Sequence, residues 1–152
     1  MARYLVGVGN VLAGDDGVGP RVVEHAAASG LAPGVVAVDL ATDALSLVAY
    51  LGAETEALLV VDAARLGLAP GDYRIFSPDE VETQKEPSGL TTHEGDVIRV
   101  VELARAAGYA IPPLAVMGVE PRETAMGTPL SAELEERLPA YAAAATAHLC
   151  GL

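Results

Sequence analysis

The amino-acid sequence predicts one α/β domain over residues 1–152, and three observations carry that prediction. Short apolar runs alternate with helical patterns along the chain, the order expected of β–α units. Leu58-Leu59-Val60-Val61 is apolar on both faces until Asp62, as a strand covered by helices on both sides must be. Residues 7–19, Gly-Val-Gly-Asn-Val-Leu-Ala-Gly-Asp-Asp-Gly-Val-Gly, join the first apolar run to the first helical pattern. Such glycine density lets the backbone come close to a ligand, and Asp15 and Asp16 there would repel a phosphate and attract a metal cation.

The elements follow in order. Tyr4–Val8 reads as the first strand, and a helix runs from Pro20 to Ala28 with proline in its first turn. Gly30 and Pro33-Gly34 close it. Val35–Leu40 is the second strand, ending at Asp39, and Asp43–Leu51 a second helix capped by Thr42 or Asp43. Leu58–Asp62 is the central strand, Pro70-Gly71-Asp72 a turn, and Tyr73–Phe76 a short edge strand. Ser77–Thr92 is polar and reads as a long loop, which compact domains keep mainly for function. A helix opens at Thr92 or His93, carries Val97, Val100, Val101 and Ala104 on one stripe, and ends at Gly108. Leu114–Val119 is a buried strand, and Gly118 to Pro129 is irregular. Ser131 caps the last helix, Glu133 and Glu135 suit its positive end, and Pro139 is expected to break or kink it.

Composition narrows the function. Acids outnumber bases 21 to 9, for a net charge of −12. That balance argues against nucleic acid and against an anionic membrane, both of which select Lys and Arg. No apolar stretch approaches the ~20 residues needed to cross a bilayer. The single cysteine, Cys150, excludes an internal disulfide and a thiolate cluster. With no signal peptide in the N-terminal residues, these features predict a cytoplasmic protein.

The chemistry gathers at strand ends, where doubly wound sheets bind ligands. Asp16 follows the first strand, Asp62 ends the central one, and His93 opens a helix after the polar loop. Two carboxylates and an imidazole suit zinc, nickel or another divalent ion. Each also has a simpler reading: Asp16 as a turn former, Asp62 as a turn or cap, and His93 as a helix cap. Binding through neutral His93 and ionised acids would weaken as pH falls. Asn10 either fixes the glycine turn or bonds substrate backbone. His25 and His148 sit on predicted helices and read as surface or half-buried residues.

Four ordered blocks carry a family resemblance. Gly7-Val-Gly-Asn10 through Asp15-Asp16-Gly17-Val-Gly19, Leu59-Val-Val-Asp62-Ala63, Ser88-Gly-Leu-Thr-Thr-His93, and Gly118-Val-Glu-Pro121 with Gly127, Leu130 and Ser131 resemble the hydrogenase maturation endopeptidases. The resemblance implies a three-layer α/β/α sandwich with a five-stranded, mostly parallel sheet, Tyr73–Phe76 being its antiparallel strand. It maps the family's metal-binding trio onto Asp16, Asp62 and His93. It implies a peptidase that trims the C-terminal extension of a nickel–iron hydrogenase large-subunit precursor, with nickel supplied by that precursor and zinc or cadmium able to substitute. Asp39-Leu40-Ala41-Thr42 keeps the family's acid and threonine but lacks its glycine pair. That loop is expected near the substrate groove, with Asn10, Asp39 and Thr42 as substrate-binding residues.

Three other readings bear on the same residues. A dinucleotide-binding turn is excluded by spacing, since Leu12 stands where a glycine is required and Asp15-Asp16 would face the phosphates. A non-proteolytic, chaperone-like binder of an immature hydrogenase subunit, and a general metallohydrolase of small peptides, remain compatible with the same residues. No Gly-x-Ser-x-Gly elbow and no His-Glu-x-x-His helix is present, and Cys150 lies far from the loops. The remaining chemistry is metal polarisation of the scissile carbonyl or a carboxylate-activated water.

Overall fold

A computed structural model describes residues 1–80 and 92–152, with side chains for 1–80 and 96–152. Five strands, β1 (Ala2–Gly7), β2 (Val35–Asp39), β3 (Thr55–Ala63), β4 (Tyr73–Phe76) and β5 (Leu114–Val119), form one sheet in the order β2-β1-β3-β5-β4. All neighbours are parallel except β4, which runs antiparallel to β5 at one edge. The helices are α1 (Val18–Ser29), α2 (Thr92–Ala106) and α3 (Ala132–Cys150), with 3-10 segments at Gly14–Gly17 and Ala44–Tyr50.

Strand alternation sorts the core into two layers. Leu59, Val61 and Ala63 of β3 face α1 and α3, packing with Val22, Leu134, Leu138 and Tyr141. Leu58 and Val60 face the other side, against Leu47 of the second 3-10 segment and Val97, Val100 and Val101 of α2. The sheet thus lies between two helical layers, and the expected α/β/α sandwich with one antiparallel strand is what forms. Full burial of each Leu or Val is worth about 1.5–3 kcal/mol, so the two layers hold the strand ends firmly.

Several boundaries differ from the sequence reading. Helix α1 begins at Val18, two residues before Pro20, because the Gly14–Gly17 turn runs directly into it. Residues 44–50 are 3-10 rather than α-helical, with Asp43 as the cap that accepts from the Ser46 amide. The central strand is longer than Leu58–Asp62 at both ends. Helix α3 runs unbroken through Pro139. Pro139 and Glu135 are exposed, so the carbonyl freed by the missing N–H faces water. The buried stripe Leu134, Leu138, Tyr141, Ala145 and Leu149 continues past it. Of the predicted loop Ser77–Thr92, residues 78–80 are helical; residues 81–91, which carry most of the Ser88–His93 block, lie outside the described residues.

Candidate active site

The glycine turn brings Asp16 to the central strand. A Cβ on Gly19 would sit 2.3 Å from the Val61 carbonyl oxygen and 2.5 Å from that of Val8. One on Gly9 would meet the Asp16 carbonyl at 2.0 Å. These glycines are therefore needed for contact of backbone with backbone. The Val8 amide donates to the Val61 carbonyl at 3.1 Å, locking the turn against β3 one residue before Asp62. Asp16 is half-buried, and its Oδ2 accepts from the Asn10 amide at 3.0 Å.

Asp62 is fully buried near the carboxyl end of β3. Alternation after Leu58 and Val60 puts it on the α2 side of the sheet. Helix α2 leads into β5 at that strand's amino end, so its first turn, with His93, lies toward the carboxyl edge of the parallel strands. The backbone topology thus places the Asp16 turn, Asp62 and the start of α2 toward the carboxyl edge of the parallel strands, with Asp62 on the α2 side. Among the described residues no group of three His, Cys, Asp or Glu side chains is placed to hold a metal ion; the His93 side chain lies outside them.

Two acids that the sequence reading gave no role organise this edge. Asp15 is fully buried. Its Oδ1 accepts from the Ser131 amide at 2.7 Å, and its Oδ2 from the amides of Arg122 and Glu123 at 2.8 and 3.2 Å and the Ser131 hydroxyl at 2.8 Å. It ties the turn bearing Asp16 to the loop after β5. Ser131 therefore stands at the N-cap position of α3 without capping it through its side chain. Glu120, also buried, accepts from the Leu66 and Leu68 amides at 2.8 Å each and shapes the loop after β3. The rule that singled out Asp62, an acid closing an apolar strand, applies equally to Glu120 after β5.

The remaining candidates take local roles. Asn10 Oδ1 accepts from the Leu12 amide at 2.9 Å, which fixes the turn. Asp39 accepts from the Ala41 amide at 2.8 Å, and Ala41 adopts φ 50°. Ala41 thus takes a left-handed conformation that favours glycine. Asp39 and Thr42 are exposed at the carboxyl edge. Arg122 and Glu133 pair on the surface; the bond raises the guanidinium pKa and lowers the carboxyl pKa. His25 is half-buried, and His148 and Cys150 are exposed, Cys150 at the end of α3.

The profile of the hydrogenase maturation protease family matches residues 20–148. The chain belongs to the hydrogenase maturation protease family. Asp62 and His93 fall inside the matched stretch, and the chain is a protease by family. It is 33% identical over 142 residues to the hydrogenase expression/formation protein HupD of Rhizobium leguminosarum bv. viciae, covering 91% of this chain and 69% of that one. It is 38% identical over 93 residues to the hydrogenase 3 maturation protease of Escherichia coli K12, covering 61% and 58%. The matches thus span about three fifths to two thirds of these relatives' own lengths. In fold it resembles the hydrogenase maturating endopeptidase HybD from E. coli, with a TM-score of 0.83 at 22% identity over 99% of this chain and 93% of that one. HybD from Thermococcus kodakarensis gives 0.79 at 22% identity, over 98% and 99%. No helix among the described residues is long and apolar enough to cross a membrane.

Proposed function

We propose that the protease removes a C-terminal extension from a nickel-loaded large-subunit precursor of a nickel–iron hydrogenase, in the cytoplasm. What supports this reading is buried Asp62 near the carboxyl end of β3, with the Asp16 turn bonded to that strand and the backbone start of α2 toward the same edge. Two carboxylates and a neutral imidazole are a donor set suited to nickel, with zinc or cadmium as stand-ins. The metal is part of the substrate: it arrives on the precursor, and Asp16, Asp62 and His93 complete its coordination, so only a loaded precursor is seated.

The chain's own groups then act on the peptide. Water supplies the attacking oxygen, one carboxylate of the pair takes its proton, and that proton passes to the departing amide nitrogen as the carbon–nitrogen bond breaks. Asp39 and Thr42, exposed on the neighbouring turn, border the path of the substrate chain.

The test is processing of purified precursor, followed by its change in mass. Asp16→Ala and His93→Ala should each abolish cleavage while circular dichroism stays unchanged. Normal cleavage by both variants would reject the trio. Equal processing of nickel-free and nickel-loaded precursor would reject recognition through the metal.

A further inference from the structure

Three large apolar side chains at the site are left outside the core. Val11 is 55% exposed, Leu12 65% and Met126 68%. They come from two loops that are bonded together. The Gly127 amide donates to the Leu12 carbonyl at 2.7 Å, the Gly14 amide to the Thr128 carbonyl at 3.0 Å, and Asn10 Nδ2 lies 3.8 Å from the Met126 sulfur. Asp15 fastens the base of the same loop pair. The backbone is therefore held in place and cannot fold these side chains inward. Fixed apolar surface of this kind marks an interaction site, and its rigidity spares a ligand the cost of ordering it.

We propose that Val11, Leu12 and Met126 form a preformed seat for an apolar side chain of the substrate, close in sequence to the scissile bond. The proposal rests on the functional reading above. Its reach follows from the chain geometry. Val11 directly follows Asn10, whose amide is 3.0 Å from the Asp16 carboxylate. An extended substrate advances about 3.3–3.6 Å per residue, so a chain cut beside Asp16 brings a residue a few positions away onto the seat. A second copy of this chain on the same surface would cover the edge that must admit a peptide, so the substrate is the occupant.

Steady-state kinetics with the full-length protease and nickel-loaded precursor test this. Leu12→Asp and Met126→Asp should each raise KM about tenfold, the loss of roughly one seated aliphatic group. The kcat value should stay within about twofold and the melting temperature unchanged, and Met126→Leu should keep KM near wild type. Replacing the precursor's apolar residues near the cut by Asp, one at a time, should raise KM at one position, and less so in the Leu12→Asp background. If KM is unmoved by both Asp variants while Asp16→Ala still loses cleavage, the seat is wrong and the functional reading stands. If the wild-type protease leaves loaded precursor intact, both are overturned. A wild-type dimer that Leu12→Asp disperses would give the surface to a second copy and overturn the seat.

Discussion

Asp15→Asn is the sharpest probe of how the edge is held together. The substitution keeps the side chain's volume and removes its charge. Oδ2 accepts three hydrogen bonds and Oδ1 the fourth, from the Ser131 amide at 2.7 Å. The single amide oxygen of Asn can replace Oδ2, but its NH2 group then faces the Ser131 N–H, donor against donor. One charge-assisted bond is lost, worth about 1.5–3 kcal/mol, and a buried N–H is left without an acceptor; together the cost is about 2–4 kcal/mol. Domains have about 5–15 kcal/mol to lose, so the variant should fold. At about 2–4 °C per kcal/mol, its melting temperature should drop by roughly 5–15 °C. Urea and thermal unfolding followed by far-UV circular dichroism give the magnitude. Hydrogen exchange should quicken first at the amides of Arg122, Glu123 and Ser131. A loss under about 0.5 kcal/mol, or exchange that speeds up elsewhere instead, would refute the view of Asp15 as the tie between these loops.

Gly19→Ala should be far more damaging, by more than about 4 kcal/mol. Its Cβ would lie 2.3 and 2.5 Å from two backbone oxygens of β3 and the β1 end; a soluble variant with native melting would contradict the close approach. Ala41→Gly should stabilise by about 0.5–1 kcal/mol, since Ala41 holds φ 50° at the cost of a left-handed L-residue; chemical denaturation checks it. Tyr141→Phe should cost about 1 kcal/mol at neutral pH by removing the hydroxyl that donates to the Gly71 carbonyl. Burial raises the Tyr141 pKa above its ordinary 10.0, so its contribution is complete below that pH and is lost as pH climbs past it. The Phe variant should therefore lose less stability than wild type between neutral and strongly alkaline pH. An equal alkaline loss in both would argue against Tyr141 as its source.

Apolar patterning made much of this fold legible. Tyr73–Phe76 and Leu114–Val119 form strands with the predicted bounds, because each is a short run flanked by turn-forming residues. The central strand was recognisable from apolar residues on both faces, although its extension back to Thr55 was not. Glycines misled where they serve contact rather than termination. Gly17 and Gly19 look like helix breakers, yet α1 starts between them, because the missing Cβ of Gly19 lets it press on β3 and that of Gly17 lets the turn close on the Asn10–Val11 backbone. Pro139 misled in the same way, since the exposed face of α3 tolerates a missing hydrogen bond. At the site, the strand ends that carry Asp16 and Asp62 were legible from the alternation of elements, whereas nothing local separated the structural role of Asp15 from that of its neighbour Asp16. The role of Asp15 depends on amides more than a hundred residues away, which no local pattern encodes. The short 3-10 segment after β2 was read as an α-helix because seven residues carry too little periodicity to tell the two apart.

The central claim is that Asp16, Asp62 and His93 share one divalent ion at the carboxyl edge of the sheet. A crystal structure of the protease soaked with zinc or cadmium tests it most directly. The account predicts one ion bound by both carboxylates and the His93 imidazole, with zinc contacts of about 2.0–2.2 Å. An ion held elsewhere, or a well-ordered His93 ring that turns away from the two carboxylates, would contradict it.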